Sequence, residues 1–172
     1  MKKLFVLVMI FSFITSLLLA NSLELGSPAP QLKVITDQGT ALDLGEVLSV
    51  GTTLVFFYPK AMTPGCVKQA CSLRDGWDEL QSRNVSIFGV SSDTAKTQAQ
   101  FRDKYTLPFT LLADTDSKIA DAFGKKYFWN RQAYIFKDGI LVWRDLTAAT
   151  SNQATEILAA LDELEPSSKA SK

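Results

Sequence analysis

The run TLVFFY, residues 53 to 58, and the segment PKAMTPGC that follows it, residues 59 to 66, constrain this chain more than any other stretch. A nearly continuous apolar run of that length is what a strand needs when both of its faces are buried, because successive side chains point to opposite sides of the sheet. Pro64 then suits the first turn of a helix, where a missing N–H costs nothing, and Thr63 stands at the N-cap position. Beyond it Cys66, Ala70, Leu73, Trp77 and Leu80 recur at spacings of four, three, four and three, one inward-facing helical stripe. A buried strand, a tight turn and an amphipathic helix make a unit that must lie in a sheet with a helix covering one face.

The rest of the chain repeats that alternation. Leu32 to Ile35 and Ala41 to Leu44 flank the turn Asp37-Gln38-Gly39 and predict a hairpin at the edge of the domain. Val85 to Val90 reads as a strand, Thr94 to Tyr105 as a helix, Thr110 to Ala113 as a short strand and Asp116 to Phe123 as a helix. Ala133 to Phe136 and Ile140 to Arg144 form a second hairpin around Asp138-Gly139, and Ser151 to Leu164 closes the domain as an amphipathic helix. The order predicts an α/β, thioredoxin-like fold: a central mixed β-sheet flanked by helices, with an N-terminal β-hairpin extension. In such sheets chemistry gathers where strands end and the following helices begin. Cys66 sits at that kind of place.

The domain so delimited runs from 23 to 165, and the tail 166–172, PSSKASK, is too polar to pack. Residues 1 to 20 differ from the rest: Lys2 and Lys3 precede the apolar stretch Leu4 to Leu19, which ends in Ala20. This resembles a secretory signal peptide cleaved after Ala20, or a membrane anchor if uncleaved, and predicts an exported protein on the periplasmic or extracellular side. Leu18, where a small residue is preferred before such a cleavage site, departs from the pattern. Basic and acidic residues number 18 each, so nothing favours a nucleic-acid or acidic-membrane partner. The chain has no histidine, which removes imidazole as a general base and as a metal ligand.

With 2 cysteines in all, the nucleophilic chemistry converges on one short segment. The thiolate is the reactive form of cysteine, and both a helix amino terminus and a nearby cation favour it. Unpaired amides in the first helical turn can also hold an incoming oxygen. Thr63, three residues before Cys66, carries a hydroxyl able to donate to the sulfur or accept from a substrate O–H. Pro59 would stiffen the turn and shield the sulfur from water. The missing cation must come from elsewhere, and Arg131 is the candidate, on the reasoning that a neighbouring parallel strand brings its start to the same edge.

At these residues the sequence resembles the peroxiredoxins, specifically the bacterioferritin-comigratory-protein or PrxQ subfamily. The family pattern of Pro, three residues, Thr or Ser, two residues and Cys stands here as Pro59, Thr63 and Cys66, and the subfamily's further cysteine five residues on is matched by Cys71. The likeness extends through CSLRDGWDEL, FGVSSDT, FRDKYTLPFTLLADTDSKIADAFG and NRQAYIFKDG. The resemblance implies that Cys66 is the peroxidatic cysteine, Cys71 the resolving one, and Arg131 the arginine that completes the site with Pro59 and Thr63. It further implies reduction of hydrogen peroxide and organic hydroperoxides, no metal or bound cofactor, recycling by a thioredoxin-like protein donor, and a monomer, since both cysteines lie in one chain. Val67 and Gln69 stand where the subfamily often has Thr and Glu, Leu73 where Phe is frequent, and Ala133 and Tyr134 for the usual Thr-Phe.

Five residues along an α-helix separate two Cα atoms by roughly 8 to 9 Å and turn them about 140° apart. A disulfide requires them within about 7 Å, so a Cys66–Cys71 bond predicts that the first turns of the helix unwind after oxidation. The main rival from another class is an exported thioredoxin-fold thiol-disulfide oxidoreductase. Such proteins carry Cys-x-x-Cys and usually a cis proline before the third core strand, whereas this chain has Cys-x-x-x-x-Cys and no proline between Pro108 and Pro166. Blander readings are a structural disulfide, Thr63 as an N-cap alone, Arg131 as a solvated edge residue, and Tyr127, Phe128 and Trp129 as packing or the wall of a groove.

Overall fold

The computed structural model describes residues 23–126 and 130–165. The expectations placed on 1–20, on Tyr127, Phe128 and Trp129, and on the tail 166–172 lie outside the described residues.

Seven strands form one mixed sheet in the order β2-β1-β5-β4-β3-β6-β7. They are β1 (Lys33–Thr36), β2 (Ala41–Asp43), β3 (Thr52–Phe57), β4 (Val85–Ser91), β5 (Thr110–Ala113), β6 (Gln132–Lys137) and β7 (Ile140–Asp145). The apolar run predicted as a doubly buried strand is β3, at the centre between a parallel β4 and an antiparallel β6. Its side chains alternate between two cores. Leu54 and Phe56 face one in which helices α2 (Pro64–Asp75), α3 (Trp77–Ser82), α4 (Ala95–Tyr105) and α6 (Gln153–Leu164) bury Ala70, Leu73, Leu80, Phe101, Ile157 and Leu161. Val55 and Phe57 face the other, closed by α1 (Leu44–Leu48) and α5 (Lys118–Ala122) through Leu44, Leu48 and Ile119. Each such large apolar side chain contributes about 1.5–3 kcal/mol on burial, so a helix on each face is what a strand of this composition demands.

The helical stripe from Cys66 to Leu80 is carried by two helices. The chain breaks at Gly76, whose backbone leaves helical geometry at φ −90°, ψ 8°. A Cβ at Gly76 would stand 2.7 Å from the Cβ of Ala154, so the break lies where α6 presses against the chain. Ala41 to Leu44, expected as a strand, ends at Asp43, whose carboxylate accepts from the Glu46 amide and caps α1. The predicted helix from Asp116 to Phe123 shortens to Lys118–Ala122, because Ser117 is left-handed at φ 60° and the Asp114 carboxylate occupies the amides of Ile119 and Ala120.

The largest correction concerns direction. Arg131 was expected just before a strand parallel to its neighbour, but β6 runs antiparallel to β3, pairing Phe57 with Gln132. Antiparallel pairing is what sets the start of β6 beside the carboxyl end of β3. Arg131 thus reaches the edge at which Cys66 lies.

Candidate active site

Tyr58 extends β3 by one residue, its N–H donating to the Val90 carbonyl at 3.0 Å. The loop 59–63 then turns back through Met62 at φ 66° and delivers Thr63 in an extended conformation, φ −78°, ψ 148°, to begin α2. The β4–α4 connection holds this loop: the Asp93 carboxylate accepts the Ala61 N–H at 2.7 Å and the Ser91 hydroxyl at 2.7 Å. Gln98 ties the same region inward, accepting the Tyr58 hydroxyl and donating to Ser91 Oγ at 3.0 Å. Neither Asp93 nor Gln98 stood out in the sequence, since each acts across a turn that local pattern does not reveal.

Cys66 is the third residue of α2 and is 1% exposed. Two donors converge on its sulfur. Thr63 Oγ1 lies 2.9 Å from Sγ, and Arg131 Nη1 donates to Sγ at 3.2 Å. Thr63 occupies the N-cap position by backbone geometry, yet its side chain makes no capping bond; the hydroxyl is shared between Cys66 Sγ and the Lys60 carbonyl at 2.9 Å. The opening amides of α2 have no intrahelical acceptor and point toward the same end. Their partial positive charge joins the guanidinium in favouring an anion there.

Gly65 is required by this arrangement. A Cβ there would fall 2.6 Å from Arg131 Nη2, so the guanidinium lies over the helix start only because no side chain fills that space. The Arg131 backbone is pinned from the other side, its carbonyl accepting the Ala148 N–H at 3.1 Å. Arg131 Nη1 also donates to Gln69 Oε1 at 2.9 Å, and Gln69 Nε2 donates to Gln153 Oε1 at 2.5 Å. The structure therefore brings Thr63, Cys66 and Arg131 together, adds Gln69, and leaves Pro59 half-buried in the loop that leads to them. Cys71 is partly buried farther along α2, and both cysteines are free thiols. Burial pushes the Cys71 thiol above its ordinary range; Arg74 opposes the shift and Asp75 adds to it.

A buried sulfur with two convergent donors, at a helix start on the carboxyl edge of a mixed sheet, defines a thiol-based redox enzyme. Residues 25–144 match the AhpC/TSA family, and the chain belongs to it. Peroxiredoxin Bcp of Escherichia coli is 39% identical over 122 residues, covering 70% of this chain and 76% of that protein. Peroxiredoxin Bcp of Bacillus subtilis is 35% identical over 136 residues, covering 72% and 86%. Among solved structures, peroxidoxin BcpB from Mycobacterium tuberculosis superposes with a TM-score of 0.75 at 27% identity, covering 84% of this chain and 99% of that one. Xanthomonas campestris peroxiredoxin Q gives 0.72 at 25%, covering 78% and 92%. The thioredoxin-like fold and the peroxiredoxin resemblance are both borne out, and the protein is a thiol peroxidase acting on peroxides at the expense of a thiol reductant. The thiol-disulfide oxidoreductase alternative is not favoured.

The expectation of export is overturned. The Bcp relatives speak against it, while the segment 1–20 that carried it lies outside the described residues, among which no helix is long and apolar enough to cross a membrane. The ground for that expectation was composition, Lys2 and Lys3 before an apolar run, and Leu18 departs from the small residue preferred before a cleavage site.

Proposed function

We propose that Cys66 is the attacking sulfur of this peroxidase and Cys71 its resolving partner, with Thr63, Arg131 and Pro59 completing the site. The observation that carries this reading is the pair of donors on one buried sulfur, Thr63 Oγ1 at 2.9 Å and Arg131 Nη1 at 3.2 Å. The Cys66 thiolate attacks the nearer oxygen of hydrogen peroxide or an organic hydroperoxide. An S–O bond forms as the O–O bond breaks, the sulfur becomes a sulfenic acid, and the leaving oxygen departs as water or alcohol after taking a proton. Arg131, the Thr63 hydroxyl and the opening amides of α2 oppose the negative charge that develops on the leaving oxygen. Pro59 limits the motion of the loop and the access of water to it.

Cys71 then attacks the Cys66 sulfenic acid, forming the disulfide and releasing water. The five-residue helical spacing keeps the two apart while α2 is intact, and burial favours the neutral thiol form of Cys71. Unwinding of the first turns of α2 removes both restraints. The exposed disulfide is returned to two thiols by exchange with a thioredoxin-like dithiol protein, and the whole cycle closes within one chain, which supports a monomer working without metal or cofactor. Peptide mapping of protein treated with one equivalent of hydrogen peroxide tests the assignment. The account expects an intramolecular Cys66–Cys71 disulfide; an intermolecular bridge, or peroxide consumed with both thiols still free, would rule it out.

A further inference from the structure

The Gln69–Gln153 pair joins the active-site helix to the last helix. Both side chains are fully buried, 0% exposed, and they come from segments 84 residues apart. Arg131 Nη1, Gln69 and Gln153 form a chain in which every amide has a defined sense: Nη1 donates to Gln69 Oε1, and Gln69 Nε2 donates to Gln153 Oε1. An amide can be turned end for end with little change in shape. If Gln69 were turned, its NH2 would face the guanidinium, donor against donor, and Arg131 would lose the acceptor that holds it beside the sulfur. The only side-chain acceptor bonded to Gln69 Nε2 among the described residues is Gln153 Oε1. Gln153 itself gains no second bond, since its own Nε2 is buried without a partner. A glutamine kept in an apolar interior with one donor unsatisfied is there for the bond it accepts.

A second tie lies one turn along. The Ala154 N–H, at the start of α6, donates to Ser72 Oγ at 3.1 Å. Gln69 and Ser72 bracket Cys71, so both ties between α2 and α6 are anchored on or beside the stretch that must unwind for Cys66 to reach Cys71.

We propose that Gln153 is a positioning residue for both steps of the cycle: it fixes the sense of the Gln69 amide and so the place of Arg131 at Cys66, and it fastens the segment whose release admits Cys71. This rests on Cys66 being the attacking sulfur. The two roles act in opposite directions on two separable rates. Gln153→Met keeps the length and apolar bulk but removes the acceptor, so it should slow oxidation of Cys66 about five- to tenfold, the scale of one misplaced hydrogen bond, and speed disulfide formation about two- to fivefold. Gln153→Glu keeps an acceptor oxygen, and because burial favours the neutral form of such a carboxyl it adds no charge on the acid side of neutrality, where it should oxidise within about twofold of the unaltered protein.

Rapid mixing with hydrogen peroxide, followed by tryptophan fluorescence and by acid-quenched thiol mapping, resolves the two steps. Opposite changes in Gln153→Met with recovery of oxidation in Gln153→Glu support the inference. Unchanged rates in Gln153→Met, or equal impairment in both variants, overturn it. Hydrogen exchange at the Ala154 amide of the unaltered protein provides a readout that does not depend on any variant folding: protection should fall when the disulfide forms, and equal protection in both redox states overturns the fastening role. Full peroxide consumption by Cys66→Ser would instead sink the underlying assignment, whereas a Cys66-dependent enzyme indifferent to Gln153→Met defeats this inference alone.

Discussion

Replacing Gly65 by alanine should separate stability from catalysis. The new Cβ would stand 2.6 Å from Arg131 Nη2, against about 3.4 Å or more for ordinary contact, whereas the nearest atom beyond that guanidinium, Thr150 Cγ2 at 3.8 Å, is no obstacle. Because the crowded atoms are the far end of a flexible side chain, Arg131 retreats by roughly 1 Å and α2 stays folded. The helix even gains, since alanine is favoured over glycine by up to about 1 kcal/mol in a helix, less in a first turn. The retreat breaks the bond from Nη1 to the Cys66 sulfur, now 3.2 Å. A hydrogen bond from a charged donor contributes about 1.5–3 kcal/mol, which is about a 10- to 150-fold loss in the rate of Cys66 oxidation. Stopped-flow oxidation by hydrogen peroxide and a thermal melt of the reduced protein give the two readouts. The expected result is a melting temperature at or above the unaltered value with a rate lower by that factor. Gly65→Ala combined with Arg131→Met should be no slower than Arg131→Met alone, because both remove one interaction. A Gly65→Ala protein that oxidises at the normal rate would refute the assignment of Arg131 to the sulfur.

Thr63→Val removes the hydroxyl 2.9 Å from Sγ while keeping the branched shape, and should slow the same step up to about tenfold, with Thr63→Ser restoring it. Cys71→Ser should react once with peroxide and stop, its intact mass showing a sulfenic acid that further peroxide converts to sulfinic acid. Lys125 is 8% exposed, and burial lowers its amine from 10.5 to about 8, with Asp114 opposing the shift. A lysine whose folded value is depressed stabilises fully above its unfolded value and loses that contribution as pH falls through the folded one. Denaturation of the unaltered protein relative to Lys125→Met should therefore show the difference in stability rising with pH from about 8 to about 10.5, by on the order of 2–3 kcal/mol; a difference that is flat or falls across that window contradicts the burial argument.

What could be read from the sequence was what depends on local pattern. The apolar run before Pro59 predicts a central strand and Pro64 a helix start, which together place Thr63 and Cys66 where the structure has them. Periodicity alone could not see the break at Gly76, because the apolar spacing continues through it, and the close approach of Ala154 that leaves no room for a side chain there comes from far along the chain. The α1 helix did carry a local signal, Asp43 three residues before Glu46, the spacing of a capped helix start. Strand direction is invisible in a short apolar segment, which is why the strand that follows Arg131 was expected parallel to its neighbour and runs antiparallel to it. The bond between Gln69 and Gln153 was out of reach for a related reason: a buried amide pair across 84 residues leaves no periodic trace in either helix.

The most direct test of the central claim is rapid mixing of reduced protein with a single equivalent of hydrogen peroxide, comparing the unaltered chain with Cys66→Ser while following peroxide itself. With the sulfur at the start of α2 as the only attacking group, the unaltered protein should consume one equivalent in a fast phase and Cys66→Ser should leave the peroxide untouched on that timescale. A fast phase that survives in Cys66→Ser would mean that the chemistry resides elsewhere in the molecule.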